Sequence, residues 1–288
     1  MGRYAIILTV LFVFMGCQSP SLQQQCINVL EEGLKQEKST VVNHAGEALI
    51  FAGRTEGLDG IFLTMLHKEE SDKESKDLNT ILAARALYCL GRKEYISYIQ
   101  KVLNDSQSPR RHAAAETLGK LRYDQSHVQI RKAISEVKDN PAMWAYGTGA
   151  MAKCGDERAI NEMLDKGFSS SVGNVRRISA NDLSNIRHPE ALPLIRTMVK
   201  EEEDELVRVD AAGALLCYDD FSGIAILKKG MEASNPSIRK HSIRVFQVVK
   251  DPSYISLIKP FLKDQDPDVR IRAAEAILHI MQSHGTLE

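Results

Sequence analysis

Along almost the whole chain apolar residues recur at helical spacing, in short stretches separated by polar turns. From Asp264 to Ile277 the chain reads DQDPDVRIRAAEAI. Asp266 suits a helix N-cap, Pro267 the first helical position, and Asp268 adds negative charge to the first turn. Val269, Ala273, Ala276, Ile277 and Ile280 then make one apolar stripe. Ala273, Ala274 and Ala276 are small enough to let a second helix come close. One short helix cannot bury that stripe alone, so the pattern predicts repeats.

The position of Ala276 returns at Val245, Ala214, Asp182, Ala150, Thr117, Ala86 and Ala48, at successive spacings of 31, 31, 32, 32, 33, 31 and 38 residues. Val269-Arg270 returns as Ile238-Arg239, Val207-Arg208 and Val175-Arg176, and more loosely as Met143-Trp144 and Arg110-Arg111. Capped starts with proline recur at Asn235-Pro236, Asn140-Pro141 and Ser108-Pro109. A second apolar pattern precedes each capped one, as in Tyr254–Leu262, Gly223–Met231 and Ala191–Val199. Pro193 and Pro260 fall inside this first helix, where a kink is expected. The pattern predicts an all-α chain, an α-solenoid of about eight helical hairpins of roughly 31 residues each. No alternating strand pattern occurs.

The units DPDVRIRAAEAI, ELVRVDAAGAL (Glu205–Leu215) and SPRRHAAAETLGKL (Ser108–Leu121) resemble HEAT repeats, in particular the short variety of phycobilin-lyase-like proteins. The resemblance spans about residues 25 to 281 and is weakest in units one, two and four, where Asn79-Thr80 and Trp144 depart from the Val-Arg pair. It implies a superhelix whose second helices line a concave surface. On that surface fall Trp144, Tyr146, Arg177, Asn181, Asp210, His241 and Arg244, together with Arg272 and Glu275. Trp144, the only tryptophan, reads either as a partner-binding anchor or as packing between repeats. The resemblance gives Arg176, Arg208, Arg239 and Arg270, with Arg111, the role of a structural ladder between repeats.

The N-terminus, MGRYAIILTVLFVFMGCQSPS, is different in character. The apolar run Tyr4 to Met15 reaches about 18 Å as a helix, short of a bilayer core of about 30 Å, and follows Arg3. It reads as the apolar region of a signal peptide. Phe14-Met15-Gly16-Cys17 resembles a bacterial lipobox, although Leu and Ala or Ser are commoner at the places of Phe14 and Met15. The resemblance implies lipidation of Cys17, a signal peptide over residues 1–16, a tether over 17–24 and a solenoid over 25–288. An ordinary secretory signal is the alternative. Gln18 after the cysteine favours the outer membrane, with the periplasmic or surface face left open.

Candidate chemistry is sparse. Gly147-Thr148-Gly149-Ala150-Met151-Ala152 matches GxGxxA, but inside a helix, where close packing is the better reading. His188-Pro189-Glu190 has no PCxxC partner, and no HExxH, GxSxG or P-loop occurs. Related deoxyhypusine hydroxylases bind iron through His-Glu dipeptides, and this chain has none. No catalytic residue, metal or cofactor is therefore expected. Cys89, Cys154 and Cys217 occupy equivalent slots of separate repeats, too far apart for disulfides, and are expected free and mostly buried, with Cys26 less constrained. The run His67–Asn79 reads as a solvated loop insertion, and Lys200–Glu205 as an inter-helix turn. A net charge of -1 offers no electrostatic case for nucleic acid.

Together these readings lead to the expectation of a lipid-anchored scaffold of the bacterial cell envelope, not an enzyme, that binds a protein or peptide on its concave face. A lyase-like enzyme or accessory subunit, and a purely structural envelope protein, are the alternatives.

Overall fold

The computed structural model describes residues 20–137, 139–249 and 251–285. The expected signal peptide and Cys17 lie outside these residues. The described residues form sixteen α-helices and no strand. They pair as eight hairpins: α1 (Leu22–Gly33) with α2 (Ser39–Phe51), α3 (Leu58–Leu66) with α4 (Lys73–Cys89), α5 (Ile96–Asn104) with α6 (Arg111–Lys120), and α7 (His127–Glu136) with α8 (Pro141–Lys153). The second half repeats this order with α9 (Glu157–Glu162) and α10 (Gly173–Asn185), α11 (Ala191–Glu201) and α12 (Glu205–Leu216), α13 (Ile224–Met231) and α14 (Pro236–Arg244), and α15 (Ile255–Ile258) and α16 (Pro267–Ser283). No helix among the described residues is long and apolar enough to cross a membrane.

The local signals explain most of the helix starts. Asp266 accepts a hydrogen bond from Val269 N, Asn140 from Met143 N and Asp204 from Val207 N, each as an N-cap. Ser21 caps α1, so helix replaces the last residues of the expected tether from Leu22 onward. Lys73–Asn79 is helical too, which corrects the expected loop over residues 67–79. Asp72 caps α4 by accepting from Ser75 N, and Lys73 pairs with Asp105 at 2.6 Å, so the insertion lengthens a helix by about two turns. Pro193 falls in the first turn of α11, where it needs no kink, whereas Pro260 coincides with the change from α15 to a 3-10 segment over Lys259–Lys263.

The even-numbered helices pack against one another in sequence along the inside, and the odd-numbered ones cover them outside. Small residues set the spacing. Ala83, Ala114, Ala145, Ala211 and Ala273 are fully buried, and a Cβ on Gly119 would lie 2.5 Å from the Cα of Ala150. The GxGxxA stretch belongs to the same packing. A Cβ on Gly147 would press on Ile130 and Ile134, and one on Gly149 would overlap the Asp182 carboxylate.

The stack does not end. Helix α1 lies on α16 as α5 lies on α4, and α2 lies beside α16 as α4 lies beside α2. The eight inner helices of the predicted α-solenoid therefore close into a ring. At the seam Gly33 leaves room for Ala45 and Ile271, and the rings of Phe51 and His279 stack with centroids 3.6 Å apart. Asp268, only 3% exposed, holds Lys38 at 3.1 Å, His44 at 3.1 Å and Lys240 at 3.5 Å. One apolar core runs without a break from α12 through α16 into α1 and α4, and a second fills the hairpins between.

The cysteine reading needs correction. All four described cysteines are unbridged, but Cys26 is the buried one, its thiol pushed up to about 12 by burial, while Cys89 is exposed and Cys154 and Cys217 are half-buried. Their slot lies one turn beyond the packing stripe, at the rim of the ring.

Replacing Gly119 by Ala is expected to destabilise the fold by about 1–3 kcal/mol in denaturant unfolding, because backbone stands where the new methyl would go. Gly60→Ala in α3, with open space around it, is expected to be neutral or stabilising by up to about 1 kcal/mol.

Candidate functional site

Two arginine systems frame the hairpins. Arg176 donates to the Ser170 carbonyl of its own turn and makes a two-pronged pair with Glu202 of the next turn. Arg239 does the same with Ala233 O and Asp264, and Arg111 joins Leu103 O to Glu136. Arg208 and Arg270 keep the carbonyl bonds, to Glu202 O and Asp264 O. Each arginine thus ties a turn to its own helix, and three of them also reach the following hairpin. Glu202, within the acidic run at 200–205, is taken up by this pairing.

The second system escaped sequence reasoning. Gly53, Gly91 and Gly155 end their inner helices with positive φ, and Arg122 and Arg187 stand in the same slot with φ of 51° and 54°. A left-handed backbone disfavours a side chain. Here each guanidinium donates to a carbonyl near the end of the next inner helix, Arg122 to Lys153 O at 2.7 Å and Arg187 to Cys217 O. The signal was available as a break in a glycine register.

The inner helices carry the remaining polar groups toward the lumen. Of the predicted concave-face residues, Tyr146, Arg177, Asn181, His241 and Arg244 gather around Asp210, which is wholly buried in α12. Arg177 Nη1 donates to its Oδ2 at 2.9 Å, His241 Nδ1 lies 2.8 Å from Oδ1, and Arg244 and Asn181 each approach to 3.4 Å. Arg177 also reaches Tyr146 OH at 3.4 Å. Burial alone would raise the Asp210 pKa, but the hydrogen bond to His241 and the charges of Arg244 and Arg177 hold it well below the usual carboxylate range. Asp210 is therefore an ionised hub with its oxygens occupied.

The structure does not bring Trp144 to this group. On a helix, residues two apart point about 200° away from each other. Tyr146 faces the lumen, so Trp144 turns outward, half-buried in a surface groove with Ile134, Val137, Lys166 and Val172. Its place on the concave face is corrected accordingly.

Around the rest of the ring, charges pair between neighbouring helices. Arg85 forms two bonds with Glu47 and Lys153 meets Asp182 at 2.8 Å, while within α16 Arg272 meets Glu275 at 2.6 Å. Glu116 binds Lys120 at 2.7 Å. Burial would raise Glu116, yet Lys120, then Lys153 and Arg85, bring it down to about 2. Lys120 is walled by protein yet keeps 47% of its side chain accessible, as a lumen residue should. A cavity of about 360 Å³ opens here, bounded by residues of α6, α8, α10, α12 and α14.

No family model and no curated protein sequence matches the chain. Among solved structures it is similar to human deoxyhypusine hydroxylase in complex with glycerol, at 14% identity and a TM-score of 0.44, over 91% of this chain and 97% of that one. Two engineered proteins align at 16% and 15% identity, with TM-scores of 0.24 and 0.22, over 90% and 92% of this chain and 97% and 100% of theirs. The helices themselves establish a HEAT-like architecture. One expectation is overturned at this point. The chain was expected not to be an enzyme, and the solved protein that aligns along most of it is a hydroxylase, so that expectation is withdrawn.

The seam gives the ring a pH dependence. Burial, with the nearby Arg272, lowers His44 to about 4 against the pull of Asp268. An unfolded histidine takes up its proton near pH 6.5. Unfolding therefore gains a proton between pH 6.5 and about 4, and stability present above that window is lost as pH falls through it. In urea unfolding across this range, His44→Gln is expected to flatten the decline by about 1 kcal/mol per pH unit.

Proposed function

We propose that the chain is a binding scaffold of the bacterial cell envelope, held to a membrane, the outer one favoured, through lipid on Cys17. On this reading the ring engages a protein or peptide partner on its lumen side. The observation that carries the binding half is the connected group of Tyr146, Arg177, Asn181, Asp210, His241 and Arg244. It is drawn from four successive inner helices and fixed by a buried carboxylate. A constellation locked by rigid helices presents its outer donors with little freedom to lose on binding. The anchoring half rests on the sequence, in which the apolar run of residues 4–15 leads into Gly16-Cys17. Two or more acyl chains give stable attachment where one does not.

Radiolabelled palmitate is expected to enter the wild-type protein and not Cys17→Ser, which is expected to leave the membrane fraction. Equal labelling of both would overturn the anchor. In cells, crosslinks made by the full chain are expected to survive Trp144→Phe and to be lost in a Tyr146→Phe/Arg244→Ala variant. Retention of every crosslink by that double variant would overturn the lumen-side site.

A further inference from the structure

The cavity that opens on the lumen is unevenly charged. Five cations border it, Lys120, Arg122, Lys153, Arg177 and Arg244, against the carboxylates of Glu116 and Asp182. Asp210 lies just behind the wall and adds one more negative charge. Even so, two positive charges are left over in a space of about 360 Å³. Such a volume suits one small molecule.

The surplus has identifiable owners. Asp210 gives its shortest contacts to Arg177 and His241, which leaves Arg244 with a single bond of 3.4 Å. Its Nε has no partner among the described residues, and 31% of its side chain is accessible. Lys120 has one partner, Glu116, and is the more exposed of the two. These side chains come from α6 and α14, the third and seventh inner helices of eight, so they stand on opposite sides of the ring and border the same cavity. Asn181, Asn185 and Gln247 line it as neutral amides able to donate.

We infer that the lumen cavity is a binding site for a small polyanion whose carboxylate or phosphoryl oxygens bridge Arg244 and Lys120 across the ring. The two cations act from opposite walls, so a ligand with two anionic groups spans them where a single chloride cannot. Planar Arg244 suits a bidentate oxyanion, and Lys120 acts as a point charge. The cavity shares Tyr146, Arg177, Asn181 and Arg244 with the partner-binding group proposed above, while Lys120, Arg122 and Lys153 belong to it alone, so binding of the small probes is read without any protein partner and without the lipid.

The test is calorimetric titration of the purified full chain in detergent with sodium citrate and, separately, with sodium pyrophosphate, at constant ionic strength. One-to-one saturable binding of either probe is expected, and which probe binds distinguishes a carboxylate from a phosphoryl source. Arg244→Gln and the charge-balanced pair Glu116→Gln/Lys120→Gln are each expected to weaken it at least tenfold. Glu116→Gln alone removes a repelling carboxylate and is expected to tighten binding about threefold or more. Lys229→Gln, on the exposed outside of α13, is expected to leave it unchanged. A rise in melting temperature with the probe, present in wild type and absent in Arg244→Gln, separates a lost site from a lost fold. Absence of saturable binding by both probes, or binding indifferent to Arg244 and Lys120, would overturn the site.

Discussion

Each helical hairpin buries one apolar face on the hairpin before it and offers another to the hairpin after. A row of such units ends in two unburied faces, which open solenoids cover with polar capping repeats. This chain sets the two ends against each other. Ile271, Ala274 and Leu278 on α16 join the core of Cys26, Ile27 and Leu30 on α1. Closure also brings Asp268 to Lys38 and His44 across 230 and 224 residues of sequence. The geometry of the interior follows from that contact, because only a ring places α6 opposite α14 around one cavity.

Charge follows the same constraint. The inner slot holds Glu47, Arg85, Glu116, Gly149, Asn181, Gly213, Arg244 and Glu275 in successive repeats. In the first three, opposite signs alternate, and Arg85 neutralises Glu47. Gly149 and Gly213 then take no side chain, since Asp182 and Val245 of the following helices fill their places. The lumen has room on that side, and Arg244 faces it with little to neutralise it. Ring closure concentrates these groups without distributing their charge evenly.

Much of the architecture was legible in the chain. The spacing of Ala276, Ala214, Ala150 and Ala86 gave the hairpins their register, and Asp266-Pro267 and Asn140-Pro141 marked helix starts that the structure shows as caps. Closure was less legible, because periodicity reports contact with the next repeat and not curvature summed over eight. A trace did exist: the last helix is as apolar as the interior ones, with no polar face to end a stack. Tyr146, Arg177, Asn181, Asp210, His241 and Arg244 converge, since helical phase fixes their direction. Trp144 misled because it was projected onto the same face as Tyr146, although residues two apart on a helix point about 200° away from each other. The run at residues 67–79 was judged by its charge, although Asp72 and Ser75 carry a helix cap within it.

The ring depends on the seam between the first and last hairpins. A double-mutant cycle across it, with His44→Ala, Asp268→Ala and the pair measured by urea unfolding near neutral pH, tests that contact. A closed ring predicts that the two losses are not additive, with a coupling of roughly 1 kcal/mol or more. Additivity within about 0.3 kcal/mol, the behaviour of residues that never meet, would contradict closure.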